Sequence, residues 1–193
     1  GWPVSPALLD PAALHPGLLH PALPFVLGCV LTPLLGRRGR RMLGIGAPAL
    51  SLLALWAAPE GASWTMEVHG FPLVPLHLDG LAAVFAWAFA GYALVGGVYA
   101  WTDDRVGGRM AQLGLAGAGL GVVVAGDLLT LFVAWEWLTV ASLFLIWQGR
   151  SDEAYAAGLR YLAFHLLGAA ALLAGILMRV SAGGLSPANL WDG

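Results

Sequence analysis

The longest charge-free stretch of the chain is long enough to cross a lipid bilayer. It runs from Leu81 to Trp101 and contains no Asp, Glu, Lys or Arg. About 20 apolar residues in a helix span the hydrocarbon core, because each residue rises about 1.5 Å. Of the 193 residues, 59% are hydrophobic and 10% are charged, whereas about 25% are charged in ordinary soluble domains. The sequence therefore predicts an integral membrane protein.

Five further apolar segments predict an all-α membrane protein with about six transmembrane helices in a single domain over residues 1–193. The predicted spans cover residues 17–35, 42–58, 81–101, 110–125, 128–148 and 154–180. Prolines in the first two spans are tolerated where neighbouring helices satisfy the freed carbonyl groups. Residues 60–80 alternate polar and apolar positions and predict a small external β-hairpin, with Phe71–Pro75 as its turn.

The arginines predict how the bundle is oriented. If the spans alternate in direction, seven arginines fall in links on one side of the membrane. They are Arg37, Arg38, Arg40, Arg41, Arg105, Arg109 and Arg150. Positively charged loops stay in the cytoplasm. We therefore expect cytoplasmic arginine-rich loops, an external N-terminus and a bacterial plasma membrane.

Several functional classes are not indicated by the sequence. The net charge of −2 gives no basic field that would attract nucleic acid. A lone cysteine, Cys29, and the absence of an H-E-x-x-H or paired-cysteine motif predict no metal site. No phosphate loop or Ser–His–Asp set is evident, so we expect no cofactor and no catalytic chemistry in this chain. Four histidines are expected to be incidental, near the outer surface: His15, His20, His69 and His77.

Glu136 is the strongest candidate for a functional residue, because it interrupts an apolar segment between two tryptophans, "FVAWEWLTV". It lies eight residues after Leu128, or about 12 Å along a helix, and thus near the bilayer midplane. A charge there costs on the order of 3 kcal/mol on insertion scales. A neutral, hydrogen-bonded glutamate is the structural alternative. We favour a proton-responsive acid, because burial disfavours the charged carboxylate and a nearby cation favours it.

Three neighbouring polar residues are weaker candidates for proton translocation. Thr139 follows Glu136 by three residues and either binds a polar partner or bonds back to a helix carbonyl. Arg160 in the sixth span either extends to the cytoplasmic surface or pairs with an internal acid. His165, deeper in that span, is either a packing residue or a proton shuttle.

Four residues have predicted structural roles. Asp79 and Asp127 precede the third and fifth spans, where their carboxylates are expected to cap the helices. Gly117 and Gly121 form a GxxxG pair in the fourth span. Small residues at this spacing let helices pack closely in lipid.

Three ordered segments resemble one known family of membrane proteins. They are "LHLDGLAAVFAWAFAGYALVGGVYAW", "VVVAGDLLTLFVAWEWLTVASLFLIWQGR" and "EAYAAGLRYLAFHLLGAAALLAGIL". Together they resemble the proton-conducting antiporter-like subunits of Mrp-type sodium/proton antiporters, of respiratory complex I and of membrane-bound hydrogenases. The match is good over about residues 70 to 180 and looser in the N-terminal spans.

The resemblance implies a fold with two inverted helical repeats, of which this chain is the N-terminal part. It implies that Glu136 is the essential acid, paired with a lysine of a seventh span. Arg160 falls where many members have a lysine, so a fixed charge is implied there. His165 falls in a variable part of the pattern. The implied partners are the remaining helices of the subunit, other membrane subunits, the lipid bilayer, protons and a cation such as sodium.

Three functions remain open from the sequence, in this order. The first is part of a proton-translocating subunit of a multisubunit cation/proton antiporter. The second is a membrane-arm subunit of a complex driven by quinone or ferredoxin redox chemistry. The third is a structural scaffold, in which Glu136 would have no role in transport.

Overall fold

The computed structural model describes residues 20–68, 71–103 and 105–183, so His15 and His69 lie outside the described residues. Six helices and one hairpin follow each other along the chain. They are α1 (Leu23–Leu31), α2 (Arg37–Ala57), β1 (Ser63–Val68), β2 (Phe71–His77), α3 (Gly80–Tyr99), α4 (Val106–Val123), α5 (Leu128–Trp147) and α6 (Asp152–Gly183). Short 3₁₀ turns, Thr32–Leu34 and Ala100–Thr102, extend α1 and α3.

Three helices of the described chain are long and apolar enough to cross a membrane. They cover Gly80–Thr102, Leu128–Trp147 and Asp152–Ala182. A fourth apolar helix, Leu23–Leu34, is shorter. The helices α2 and α4 contain arginines and are less apolar. The predicted all-α fold with a small hairpin is therefore confirmed, whereas six membrane crossings remain a prediction.

The arginine-rich link between the first two spans is part of a helix. Helix α2 begins at Arg37, after Gly36 in an extended conformation, so the "RRGRR" segment forms its first turns. Arg109 likewise lies inside α4 and is only 3% exposed. The prediction that these residues lie in loops was wrong. Arginine is a good helix former, so its charge does not by itself end a helix.

The hairpin has a different turn from the one that the sequence indicated. Phe71–His77 is strand β2, antiparallel to β1, and residues 69–70 between the strands lie outside the described part. The pairing is irregular between Trp64 and Met66, so that two residues of β2, one of them Pro75, lie opposite one residue of β1. Proline fits such a bulge, because it has no N–H to donate to the partner strand.

Helix α4 lies at the centre of the bundle and uses glycines to meet its neighbours. Gly117 faces Phe25 of α1, and Gly121 faces Ala134 of α5. Gly119 faces Phe89 of α3. The two glycines of the GxxxG pair thus contact different helices. Helix α6 packs chiefly on α5, at the edge of the described bundle.

The space around these glycines predicts unequal effects of adding one methyl group. A Cβ at Gly117 would lie 2.9 Å from Phe25 Cβ, whereas a Cβ at Gly121 would lie 3.3 Å from Ala134 Cβ. Overpacking costs about 1–3 kcal/mol. We expect Gly117→Ala to lower the Tm of the purified protein more than Gly121→Ala does. Equal losses, or a larger loss for Gly121→Ala, would contradict the described packing of α4.

Candidate functional site

Glu136 lies on the side of α5 that points away from the central helix. Ala134 and Ala141 of α5 pack on Gly121 and Gly114 of α4, with Cβ contacts of 3.3 and 3.5 Å for an added methyl. Glu136 is two residues from Ala134, or about 200° around the helix. Its side chain therefore projects from the face of the bundle that α4 does not cover.

The Glu136 side chain is half-buried, and one of its oxygens lacks a partner. Its Oε1 is buried and accepts no hydrogen bond from the residues that the structure describes. Leaving a buried polar atom unsatisfied costs about 1–3 kcal/mol, and more if the group is charged. This site is therefore unfavourable for a permanent charge without a donor or a cation.

Arg160 is not brought to this carboxylate. It is exposed on α6, about 12 Å from the start of that helix at 1.5 Å per residue. Within the described part of the chain it makes no hydrogen bond or ion pair. Between the two interpretations of the sequence, the described contacts do not include pairing with an internal acid.

Thr139 and His165 meet between α5 and α6. The buried Thr139 Oγ1 donates to the Trp135 carbonyl at 3.0 Å and also contacts His165 Nε2. Since the hydroxyl proton is used towards Trp135, the network is satisfied if His165 Nε2–H donates to Oγ1. The His165 ring also lies 5.8 Å from the Trp135 ring and 5.6 Å from the Tyr161 ring, between centroids. The back-bond and the polar contact of Thr139 thus occur together.

Asp127 caps α5 and also binds the hairpin. Its Oδ1 accepts from the N–H groups of Leu129 and Thr130, at 2.9 and 2.8 Å. Its Oδ2 accepts from Thr130 Oγ1 at 2.5 Å and from the Val74 N–H of β2 at 2.7 Å. The side chain is only 4% exposed. A buried carboxylate with four donors is well satisfied as an anion.

Asp79 has a simpler environment. It is exposed at the N-cap of α3, and its Oδ1 accepts from Ala82 N–H at 2.7 Å. The two aspartates thus share a capping geometry, but Asp127 alone of this pair binds the hairpin.

Two polar residues that the sequence left without a role are held by specific bonds. Arg109 donates to the carbonyls of Ala100 and Asp103 and to Gln112 Oε1, at 2.8, 3.4 and 2.8 Å. The guanidinium thereby binds the end of α3 to the start of α4. The Arg–x–x–Gln spacing on one helix was the available signal, because residues three apart are neighbours on a helix surface.

His20 is the second such residue, and the expectation that it is incidental was wrong. It precedes α1, and its Nε2 lies 3.0 Å from the Pro75 carbonyl of β2. Its Nδ1 accepts from Ala22 N–H at 3.2 Å. Both ring nitrogens are thus used, which requires the neutral tautomer with the proton on Nε2. No sequence pattern indicates this contact across 55 residues.

The described residues contain no group of three or more His, Cys, Asp or Glu side chains that could hold a metal ion. What they contain is a half-buried carboxylate in the middle of a membrane-spanning helix and a Thr–His contact on the adjacent helix. These features define a helical membrane protein with ionisable side chains inside its spans. Such side chains generally mark ion or proton pathways.

Comparisons with known proteins support the same class. Residues 125–190 match the family model described as "NADH:quinone oxidoreductase/Mrp antiporter, TM". The chain is 31% identical to a probable K(+)/H(+) antiporter subunit, of type D, from Rhizobium meliloti, over 87% of this chain and 34% of the relative. It is 32% identical to NADH-quinone oxidoreductase subunit 13 of Thermus thermophilus, over 80% of this chain and 34% of the relative.

These matches confirm the resemblance to the antiporter-like membrane subunits of the Mrp and complex I type. The matched segment 125–190 contains Asp127, Glu136 and the Thr139–His165 contact. The chain spans about a third of the length of both relatives.

The bonds of His20 predict that attachment of the hairpin weakens in acid. Burial lowers the pKa of His20 below its ordinary value of 6.5, and the bond to the Pro75 carbonyl opposes this only in part. The unfolded chain then binds more protons than the folded one. His20 therefore stabilises the fold fully above about pH 6.5 and progressively less below it.

We expect the Tm of the purified protein to fall between about pH 7.5 and about pH 5.5, and to fall less in His20→Gln, which keeps a donor but does not titrate. His77→Gln is the matched control on the same strand that His20 binds and should keep the wild-type loss. An unchanged pH dependence in His20→Gln would contradict the assignment.

Proposed function

We propose that this chain is part of a proton-translocating, antiporter-like subunit of a multisubunit cation/proton antiporter. Glu136 is its intramembrane proton-responsive acid. The observation that carries the proposal is the buried, unpartnered Oε1 of Glu136 within the segment that matches the family model. A carboxyl group in such a position takes up a proton when no cation is near and releases it when one approaches.

The direction of the side chain supports this role. Glu136 projects from α5 on the side opposite α4, where further helices can pack. The resemblance implies a lysine from a seventh span as its partner. The chain spans about a third of its relatives' length, so we propose that the remaining part of the subunit supplies this cation.

We assign supporting roles to the neighbouring polar residues. The Thr139–His165 contact lies one turn from Glu136 and offers a proton-accepting group towards α6. Neutral histidine suits such a step, because its ordinary titration range is near neutral pH. Arg160 supplies a fixed positive charge, since a guanidinium does not release its proton.

The proposed setting is a bacterial plasma membrane with six crossings, the arginine-rich links in the cytoplasm and the hairpin outside. Other membrane subunits are plausible partners, because both relatives are named as subunits. The name of the Rhizobium relative makes K⁺ the first cation to test beside Na⁺.

A second candidate function is a membrane-arm subunit of a redox-driven complex. It is favoured by the 32% identity to the quinone oxidoreductase subunit. The proteins that co-purify with the complete complex distinguish the two. Hydrophilic redox subunits support the second function, and small membrane subunits alone support the antiporter.

Replacing the acid tests the proposed function. In the complete complex, reconstituted in vesicles, we expect Glu136→Gln to reduce cation-dependent proton movement by at least about a hundredfold while the complex still assembles. The amide cannot take up and release the proton. The measurement is the fluorescence change of a pH-sensitive dye after addition of K⁺ or Na⁺.

Glu67→Gln on the exposed face of the hairpin is the matched control and should transport at the wild-type rate. In the same assay His165→Phe keeps an aromatic ring and removes the proton-accepting nitrogen. It should lower the rate and alter its pH dependence. Wild-type transport in Glu136→Gln would instead support the structural scaffold.

A further inference from the structure

Helix α5 is held weakly along its length. Among its described residues only Thr139 and Ala141 are buried. Its contacts with α4 are formed by small residues at Gly121–Ala134 and Gly114–Ala141. Contacts between such smooth surfaces oppose sliding less than interlocked large side chains do. The axial position of α5 must therefore be fixed elsewhere.

The start of α5 is fixed by Asp127. Its carboxylate receives two N–H groups of the first turn, the Thr130 hydroxyl and the Val74 N–H of the hairpin. Charge-assisted bonds of this kind are roughly twice as strong as neutral ones. The carboxylate is 4% exposed, so water competes little for them.

The strand that Asp127 binds is itself fixed on several sides. Gly126 N–H donates to the Val74 carbonyl and His77 N–H donates to the Val124 carbonyl, each at 2.8 Å. The contact is too close for a side chain at Gly126, because an added Cβ would lie 2.8 Å from His77 Cβ. On the other side, His20 binds the Pro75 carbonyl. Strand β2 thus forms a firm base for the helix.

We propose that Asp127 is a positioning residue, which sets the depth and rotation of Glu136 by attaching α5 to β2. This inference rests on the proposed function of Glu136. The two residues are nine positions apart, or about 13.5 Å along the helix. Helix α5 contains no proline or glycine, so a shift at its start reaches Glu136 without being absorbed by a kink.

Asparagine at this position separates capping from attachment. Its Oδ1 still accepts from Leu129 and Thr130 N–H and keeps the cap. Its Nδ2 donates, so it cannot accept the Val74 N–H. The matched control is Asp79→Asn, because Asp79 is also an N-cap but its carboxylate is exposed and accepts from Ala82 N–H. Thr130→Val is the milder companion, because it removes one donor to Oδ2 and keeps the carboxylate.

The first measurement is transport by the complete reconstituted complex. A displacement of about 1 Å at a reacting group costs up to about a hundredfold in rate. We expect Asp127→Asn to lower the rate between about ten- and a hundredfold and to alter its pH profile, and Thr130→Val to have a smaller effect. Asp79→Asn should keep the wild-type rate and profile.

The second measurement gives the depth of α5 directly and does not depend on transport. A spin label at Val140→Cys, which is 60% exposed in the wild type, reports depth through its accessibility to oxygen and to a polar relaxation agent. Cys29→Ser removes the native thiol. We expect a changed depth in Asp127→Asn and an unchanged depth in Asp79→Asn.

An unchanged depth in both Asp127→Asn and Thr130→Val overturns the inference, as does an equal shift in Asp79→Asn. If Asp127→Asn fails to assemble, Thr130→Val alone decides through the same two readings. The proposed function fails separately, through wild-type transport in Glu136→Gln, and the depth reading keeps its meaning in that case.

Discussion

The close approach of helices to the glycines of α4 is the constraint on which the rest of the bundle depends. Gly117 admits Phe25 of α1, and Gly121 admits Ala134 of α5. In lipid there is little hydrophobic force between helices, so close van der Waals contact must hold them together. Because α5 lies against small residues of α4, its opposite side, including Glu136, faces outward from this centre.

The carboxylate of Glu136 differs from the two fully buried charged side chains of the described bundle. Arg109 donates to two carbonyls and to Gln112, and Asp127 receives four donors. Buried polar groups are normally paired in this way. The buried oxygen of Glu136 has no such partner among the described residues. It is therefore available for a proton or for a cation from another helix.

The sequence predicted local features well and contacts across the bundle poorly. Helix α5 was expected over residues 128–148 and extends over Leu128–Trp147, because an uninterrupted apolar segment follows a capping aspartate. The burial of Arg109 was not predicted, because its acceptors depend on how α3 and α4 meet. The two bonds of His20 depend in the same way on where β2 lies. The depth of Glu136 follows from counting residues along α5, whereas its direction follows only from the packing of that helix on α4.

The central claim is that Glu136 changes its protonation state inside the membrane. Infrared difference spectra of the complete complex, recorded while the pH is varied, test it most directly, because a protonated carboxyl group has its own carbonyl band. The account predicts a titrating carboxyl band in the wild type that is absent from Glu136→Gln and retained in Glu67→Gln. Identical titrating bands in the wild type and in Glu136→Gln would contradict it.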